Sequence, residues 1–486
     1  MAAKRWLTLA GDADHAAAQL ELGLLLANGG EGVAKDAFDS RVWLRRAARR
    51  GQVEAAYWLG FVYSKGVDTT RDDVAAIGWY RQAAEAGHAE AMNSLASKLS
   101  AGEGLAADPA AALTWWRKSA ELGNLNAQHN LGRVYAQGLG VDKDVGEAIS
   151  WFRRSAEQGL AASQRELAIA YGTGQGVNQD PAAAQRWARL AAEQNDVHAQ
   201  ALLAAQLLKA DQPAEALVWT RRAAEGGMAI AQHELGLMLL DAKFGPSDPT
   251  AAVGWTRRAA EQGFAPAQNQ LGLQLATGTN IPRDLRAAFN WFRKSAEQGH
   301  ANAQANLAKA YFLGEGVTAS PGDGVQWAQR AADQGLPNGK FLLAVAKQEG
   351  SGVPRDDAAA AALLRPLAEQ GFAPAQVQWA YALSQGRGTP VDKKTDKVWL
   401  LKAANQGDAR GLHILARMLS TGEGMRKDPQ LAYTWAFLAK QREPKNATYE
   451  SFVDQVGRTL TASQRQAAEQ RASQWQPGAE LGVVLR

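Results

Sequence analysis

The seven histidines are the side chains of this sequence with the widest chemical range, because imidazole serves both proton transfer and metal binding. They are scattered, and His88 and His300 each follow a glycine where a helix is expected to begin, which favours a structural role. The chain has no cysteine, which excludes disulfides, thiolate zinc sites and a cysteine nucleophile. The serine-hydrolase elbow, the complete phosphate loop and the HExxH motif are also absent from the sequence. We therefore predict no catalytic site, no metal site and no cofactor.

Tryptophan is the second distinctive residue, and it recurs at one spacing. Successive copies lie 36 residues apart, except for one step of 32 residues and one position filled by Leu363. The column comprises Trp43, Trp79, Trp115, Trp151, Trp187, Trp219, Trp255, Trp291, Trp327, Trp399 and Trp435. Exposed indoles would form a row of stacking platforms, whereas buried indoles would form the core of a repeating scaffold. A large aromatic side chain at one helical phase in nearly every unit favours the core. Better candidates for exposed contacts lie outside the column: Trp58, Trp116 and Trp379.

Basic residues two positions after many of these tryptophans could form a track for a polyanion. They include Arg81, Arg117, Arg153, Arg189, Arg221, Arg257 and Arg293. A glutamate stands four residues after each of them, which favours a solvated ladder of weak ion pairs over a phosphate-binding face. The whole chain carries 53 basic and 49 acidic residues, a net charge of only +4. We therefore expect no nucleic-acid partner.

Residues typical of helix ends stand at fixed distances from these columns. Glycine stands eight residues after most of the tryptophans, with Asn195 as a substitute that also tolerates the left-handed conformation closing a helix. Aspartate, or Ser320, stands seven residues before them, where it can cap a helix N-terminus. A second column, leucine followed by glycine or alanine as in Leu131 and Gly132, marks a preceding helix that a partner helix approaches closely. Two helices thus form one unit, and the leucine column predicts twelve units.

The stretch LNAQHNLGRVYAQGLGV at residues 125–141, with the tryptophan and glycine that follow it, closely resembles the unit of the Sel-one-like repeat family, a relative of the tetratricopeptide repeats. The resemblance covers about residues 12–442. It implies an all-α fold, a right-handed superhelical α/α solenoid of about twelve helix-turn-helix repeats of 36 residues. We expect residues 1–11 to be the remnant of a capping or upstream helix, and residues 443–486 to form C-terminal capping helices and a tail.

By similarity to tetratricopeptide repeats, the first helix of each unit should line a concave groove. Residues two before and two after its leucine should point into that groove. The residues predicted on this basis to bind a partner are Tyr57, Phe61, Asn93, His129, Arg133, Arg165, His233, Asn269, Lys309, Phe341, Tyr381, His413 and Arg417. This mixture of aromatic, polar and basic side chains suits a folded protein or peptide of acidic character better than a small molecule. Ordinary surface variation with no single ligand stays open as the alternative.

The function implied by the resemblance is a non-enzymatic scaffold that binds a protein partner as a monomer or 1:1 complex. A bacterial immunity protein that neutralises a secreted effector is one form of it, and a regulator of envelope assembly or signalling is another. A third alternative is binding or hydrolysis of cell-wall or β-lactam compounds, although the family members concerned are rich in cysteine. No apolar run reaches the roughly 18 to 20 residues that span a bilayer. The start of the sequence lacks a signal-peptide segment, so we expect a cytoplasmic protein, or a periplasmic one if a leader has been removed.

Overall fold

The computed structural model describes residues 2–30, 32–66 and 70–478. Within these ranges all regular structure is helical, apart from one isolated bridge that pairs Gly30 with Val33. A single helix, α1 (Ala2–Asp12), comes first and twelve helix pairs follow. The predictions of an all-α fold and of twelve helix-turn-helix repeats are confirmed.

Each pair forms one repeat, with an A helix that carries the leucine column and a B helix that carries the tryptophan column. The A helices of repeats 1 to 12 are α2 (Ala16–Asn28), α4 (Val53–Lys65), α6 (Ala89–Ala101), α8 (Leu125–Gln137), α10 (Ala161–Thr173), α12 (Val197–Lys209), α14 (Ala229–Met238), α16 (Ala265–Thr277), α18 (Ala301–Leu313), α20 (Pro337–Glu349), α22 (Ala373–Gln385) and α24 (Ala409–Thr421). The B helices are α3 (Ala37–Arg49), α5 (Asp73–Glu85), α7 (Pro109–Glu121), α9 (Val145–Glu157), α11 (Pro181–Glu193), α13 (Pro213–Glu225), α15 (Pro249–Glu261), α17 (Leu285–Glu297), α19 (Pro321–Asp333), α21 (Asp357–Glu369), α23 (Thr395–Asn405) and α25 (Pro429–Arg442). A short 3₁₀ helix (Ala242–Phe244) lies between α14 and α15.

The helices divide into two compact units. Unit 1 comprises Met1–Gln232 and Ala242–Gly245, and unit 2 comprises His233–Asp241 and Pro246–Arg486. In unit 2, α25 is followed by α26 (Ala447–Gly457) and α27 (Ala462–Gln474), and both pack against it. They cover the last B helix, as the end of a solenoid requires. Residues 479–486, part of the predicted tail, lie outside the described residues.

The helix ends follow the signals in the sequence. The side chain of Asp144 accepts a hydrogen bond at 2.9 Å from the backbone N–H of Glu147 in the first turn of α9. Aspartate caps eight other B helices in the same way. Ser320 does not cap α19 and instead donates its hydroxyl to the Asp323 carboxylate. Asn195 has a φ of 66°, so it closes α11 in the predicted left-handed conformation.

The leucine column of the A helices forms the centre of the core. Its members in repeats 1 to 9 and in repeat 12 are fully buried, and Leu343 and Trp379 fill the same place in repeats 10 and 11. Paired alanines of the B helices, such as Ala83 and Ala84, are buried in the same clusters. Because these residues exclude water along each unit, the core is a continuous seam between A and B helices.

The small residue after each leucine sets how closely the two helices of a repeat approach. A Cβ atom on Gly132 would lie 2.5 Å from ring atoms of Phe152, the residue that follows the column tryptophan. A Cβ on Gly60 would lie 2.5 Å from the ring of Tyr80 in the same way. Glycine therefore makes room for the side chain that follows the tryptophan.

The tryptophan column lies at the edge of the core. Only Trp435, Trp151 and Trp219 are buried, and the other eight members are half-buried. In eight repeats an arginine or lysine three residues later lies over the ring, 4.1 to 4.7 Å from its centroid. The prediction that this column is core is thus correct for three members. Of the eight half-buried members, six are covered by such a cation. The exposure expected for Trp116 and Trp379 is wrong, because both are buried.

The predicted ladder of ion pairs on the B helices is also largely wrong. Of the seven arginines, only Arg293 reaches the glutamate four residues later, with Nε 4.0 Å from Oε1 of Glu297. Arg117 instead donates from Nη2 to the hydroxyl of Tyr135 at 2.8 Å, and Arg153 forms the equivalent bond one repeat later. These arginines therefore tie the B helix to the A helix of the next repeat.

A buried glutamine in the A helix links successive repeats. Nε2 of Gln164 donates to the carbonyl oxygen of Ala156 at the end of the preceding B helix at 3.2 Å. Oε1 of Gln164 accepts from Nε2 of Gln194, at the end of the B helix in its own repeat, at 2.8 Å. The bond to a carbonyl eight residues earlier recurs at Gln19, Gln128, Gln200, Gln232, Gln268, Gln304 and Gln376. The Ala156 carbonyl also accepts a hydrogen bond from the backbone N–H of Gly159, so the glutamine adds a second, side-chain bond at the helix end.

Candidate protein-binding face of the A helices

The exposed side of the A helices is where the sequence places a binding site. A helices of neighbouring repeats touch directly, as α4 touches α6 in unit 1 and α18 touches α20 in unit 2. At 3.6 residues per turn, the positions one before, two after and six after the buried leucine lie on one stripe of the helix. In repeat 9 these are Asn306, Lys309 and Leu313. We call this stripe, with the residue two before the leucine at its border, the A face.

Residues two before the leucine contact the next repeat. In unit 1 the Tyr57 ring stacks on the His88 ring with centroids 4.6 Å apart, and the Arg165 guanidinium pairs with the carboxylate of Asp196. Both contacts reach the residue that caps the following A helix. Each side chain therefore fixes one repeat against its neighbour.

In unit 2 three of the six repeats carry a ring at the same position. Phe341 meets Phe372 edge to face at 5.7 Å, and the centroid of His413 lies 4.9 Å from that of Phe452. His233 makes a similar contact with the first residue before α16. Such edge-to-face pairs add to the apolar contact between repeats.

Asparagine at this position builds a polar junction. Oδ1 of Asn93 accepts hydrogen bonds from Nδ2 of Asn130 at 2.9 Å and from Nε1 of Trp116 at 3.1 Å. Oδ1 of Asn269 accepts from Nδ2 of Asn306 at 2.9 Å, and Asn269 is buried. Residues two before the leucine thus make contacts with neighbouring repeats.

Residues two after the leucine are the more exposed half of the predicted set. Arg133, Lys309, Tyr381 and Arg417 are exposed, and Phe61 is half-buried. Among the residues that the structure describes, the three cations of this group form no ion pair. They are therefore available to a partner.

The histidines of the A face have lowered pKa values. The pKa of His129 falls to about 4, chiefly because the ring is buried and also because Arg133 and Arg165 are close. Burial is also the main reason that the pKa values of His233 and His413 are lowered. Neutral imidazoles at pH 7 suit packing between repeats better than proton transfer.

A groove of about 520 Å³ crosses the A helices of repeats 9 to 12 in unit 2. Its lining combines apolar and aromatic side chains, two cations, one carboxylate and three amides. The apolar side chains include Phe312, Leu313, Phe341, Leu342, Val345 and Phe372. The polar ones include Lys309, Arg410, Glu349, Asn306, Asn338 and Gln378. We call this depression the unit 2 groove.

The unit 2 groove brings together two of the predicted residues, Lys309 and Phe341. Positions one before the leucine were not predicted, yet Asn306, Leu342 and Gln378 all line it. The signal for them is the helical spacing itself, because they lie one turn before the residue two after the leucine.

Unit 1 has two smaller depressions on its A face. One of about 500 Å³ contains the predicted Arg165, and one of about 220 Å³ contains the predicted Arg133 beside Trp116 and Asn130. The other members of the predicted set line none of these three depressions; they are Tyr57, Phe61, Asn93, His129, His233, Asn269, Tyr381, His413 and Arg417.

No group of three or more histidine, aspartate or glutamate side chains in residues 2–30, 32–66 and 70–478 is placed to hold a metal ion. No helix in those ranges combines the length and the apolar character needed to cross a membrane.

Helix pairs stacked around a leucine seam, with a variable open face, define a helical repeat scaffold of the tetratricopeptide-like class. More specifically, the chain belongs to the Sel1 repeat family. The model of the Sel1 repeat matches twelve consecutive segments: residues 16–52, 53–88, 89–124, 125–160, 161–196, 198–228, 229–264, 265–300, 301–336, 337–372, 373–408 and 409–442. The resemblance drawn from the sequence is thus confirmed.

Several solved structures are similar to this chain. The crystal structure of c5321, a protective antigen of uropathogenic Escherichia coli strains that displays an SLR fold, is 30% identical, with a TM-score of 0.70 over 97% of this chain and 94% of that chain. A Sel1 repeat protein from Oxalobacter formigenes is 28% identical, with a TM-score of 0.37 over 82% of this chain and 93% of that one. The immunity protein Pa5087 from Pseudomonas aeruginosa is 21% identical, with a TM-score of 0.31 over 43% and 81%. No curated protein matches the chain.

Family membership supports a general functional statement. Sel1 repeats form scaffolds that are typical of protein–protein interaction, and no catalytic family is indicated for the chain. The partner class is therefore protein.

Proposed function

We propose that the chain is a non-enzymatic scaffold that holds a protein partner against its A face, with the unit 2 groove as the principal contact. The observation that carries this proposal is the groove itself, which is lined by aromatic side chains and by two exposed cations, Lys309 of repeat 9 and Arg410 of repeat 12. Apolar anchors beside arginine or lysine are the composition that protein interfaces favour.

The B helices support this choice of face by contrast. Eight of the eleven column tryptophans are covered by an arginine or lysine of their own helix, and several other arginines of the B helices bond tyrosine hydroxyls. The chemically rich side chains of the B helices are thus used within the scaffold. The A face keeps exposed cations and an exposed tyrosine, Tyr381, with 46% of its surface exposed.

Neutralisation of a secreted toxin is the particular role that we propose within this function. A binding surface that shields another protein needs no chemistry of its own, and the matched repeats extend from residue 16 to residue 442. The test is to mix the purified chain with toxins encoded beside its gene and to measure toxin activity. Full toxin activity at saturating chain, or no such neighbouring gene, would rule out this role and leave the general scaffold untouched.

The scaffold proposal is tested by placing a photo-activated crosslinking residue at single positions of the full chain in its host. On the A face the positions are Ile169 and Tyr381, and on the B helices the matched positions are Leu190 and Val218, which have similar exposure. We expect discrete protein adducts from the A-face positions only. Adducts from the B helices alone, or none from the A face, would refute the proposal.

A further inference from the structure

We propose that the unit 2 groove takes an extended segment of the partner in which a large apolar side chain stands close to aspartate or glutamate. This inference rests on the proposed scaffold function and specifies the ligand of that same face. It follows from three features of the groove, which are its apolar surface, its unpaired cations and its free amides.

The apolar surface supplies an anchor site. Leu313, at the end of α18, has 61% of its surface exposed although its neighbours in the groove are apolar. Phe341 and Phe372 stand edge to face and line the same groove. A volume of about 520 Å³ lies within the roughly 300 to 1,000 Å³ of ordinary ligand sites. It holds a large side chain together with the backbone on either side of it.

The charges of the groove select acidic neighbours for that anchor. Lys309 and Arg410 are both exposed and have no ion pair within the described residues. The groove offers one carboxylate, Glu349, against these two cations. Elsewhere in unit 2 an exposed arginine such as Arg355 is neutralised by Asp357, with Nη2 2.6 Å from Oδ2. The two unpaired cations therefore favour carboxylates supplied from outside.

The amides of the groove favour an extended ligand. Asn338 and Gln378 line it from two different A helices, and their side chains have no hydrogen-bond partner in the described part of the chain. A side-chain amide offers both donors and an acceptor. A helical ligand has already satisfied its backbone internally, whereas an extended segment presents free N–H and C=O groups that such amides can bind.

The test uses the immobilised full chain and a phage-displayed library of short random peptides. We expect the selected peptides to share a bulky apolar residue close in sequence to aspartate or glutamate. Leu313→Gln and the double variant Lys309→Glu/Arg410→Glu should each weaken binding of the selected peptides about tenfold, which corresponds to about 1.4 kcal/mol. The charge-reversed variant should also shift the selection toward lysine and arginine.

Matched controls separate these effects from general damage. Leu122→Gln changes an equally exposed leucine at the end of a B helix, and Arg257→Glu/Arg286→Glu makes the same charge change on exposed B-helix positions of unit 2. Both controls should bind the selected peptides as the wild type does. Selected peptides that are basic, lack acidic residues or bind the groove variants normally would overturn the inference. Failure to select any peptide that depends on Leu313 would also overturn it.

Failure of this inference and failure of the scaffold proposal give different results. If crosslinks still form from the A face while no acidic and apolar peptide is selected, the scaffold function stands and the ligand chemistry is wrong. If the selected peptides are instead helical in the bound state by NMR, the groove binds a helix and the extended segment is refuted.

Discussion

Replacing Gly132 with alanine isolates the close contact between the two helices of repeat 4. The added Cβ would lie 2.5 Å from the Cδ1 and Cε1 atoms of Phe152, whereas carbon atoms in contact prefer about 3.5 to 4.0 Å. The Phe152 ring is buried, so it must move by about 1 Å within an enclosed space. Overpacking of this kind costs about 1 to 3 kcal/mol, and alanine recovers about 1 kcal/mol of helix propensity. We expect a net loss of about 1 kcal/mol.

The sign of this effect should reverse when the obstructing ring is removed. In a Phe152→Ala background the contact no longer exists, so Gly132→Ala should gain about 1 kcal/mol from helix propensity alone. Repeat 5 already uses this combination, with Ala168 and Ala188 both fully buried at the equivalent positions. The coupling between the two substitutions is therefore expected to be about 2 kcal/mol.

Native-state hydrogen exchange in α8 and α9 is the suitable assay, because a long repeat array can unfold locally rather than in one step. Gly78→Ala serves as control, since no atom lies within 4 Å of its added Cβ, and it should stabilise α5 slightly. If Gly132→Ala changes protection in the same direction in both backgrounds, the explanation of the glycine column by close approach is refuted.

Three more predictions concern packing, polar links and pH. Trp435→Ala should destabilise the helices around it by about 3 to 5 kcal/mol, whereas Trp255→Ala, at a half-buried ring, should cost roughly half as much, as measured by hydrogen exchange. Gln164→Leu should cost about 1 to 3 kcal/mol because it removes two hydrogen bonds between buried groups. Gln200→Leu removes one, since Oε1 of Gln200 has no partner in the described residues, so it should cost less in a urea titration. The free energy of unfolding should fall as the pH drops from 6.5 towards about 4, because His129 binds a proton in the unfolded chain at a higher pH than in the folded one. His129→Gln should make the urea midpoint less dependent on pH over that range. A His129 ring that titrates near pH 6.5 by NMR would contradict the lowered pKa.

Helices, caps and repeats could be predicted because their signals are local. The aspartate that caps a B helix and the residue that closes it, such as Asp144 and Asn195, act on backbone groups a few residues away. A period of 36 residues then fixes how often the pair recurs. None of these signals depends on the neighbouring repeat, so the helices and their number could be predicted from the sequence alone.

Which residues of the B helix are buried could not be predicted in the same way. Adjacent residues differ by about 100° around a helix, so a tryptophan and the residue after it cannot both point at the A helix of their own repeat. The sequence favoured the larger and more regular residue, such as the half-buried Trp291, and neglected the buried Phe292 after it, which packs against Gly272. A cation three residues later completes the cover of the indole, and that arrangement appears only when the helix is built.

The polar links were missed because polarity is usually a sign of the surface. Gln164 is buried between two helix ends, where its amide satisfies both a carbonyl and a second glutamine. The unit 2 groove could not be predicted from the sequence for a different reason. It is built by residues of four A helices, and its charge depends on which cations form ion pairs elsewhere in the fold.

The residues that hold the repeats together differ from the residues exposed on the A face. This difference explains how such a scaffold can change its ligand and keep its fold. The leucine seam, the glutamine links and the covered tryptophans hold each repeat to its neighbours through positions that lie between the helices. The exposed positions of the A face, such as Lys309 and Leu313, take no part in those contacts and can change at little cost in stability. Binding specificity in this chain should therefore follow the A face of a few repeats, and exchanging the residues of the unit 2 groove should redirect it while the array stays folded.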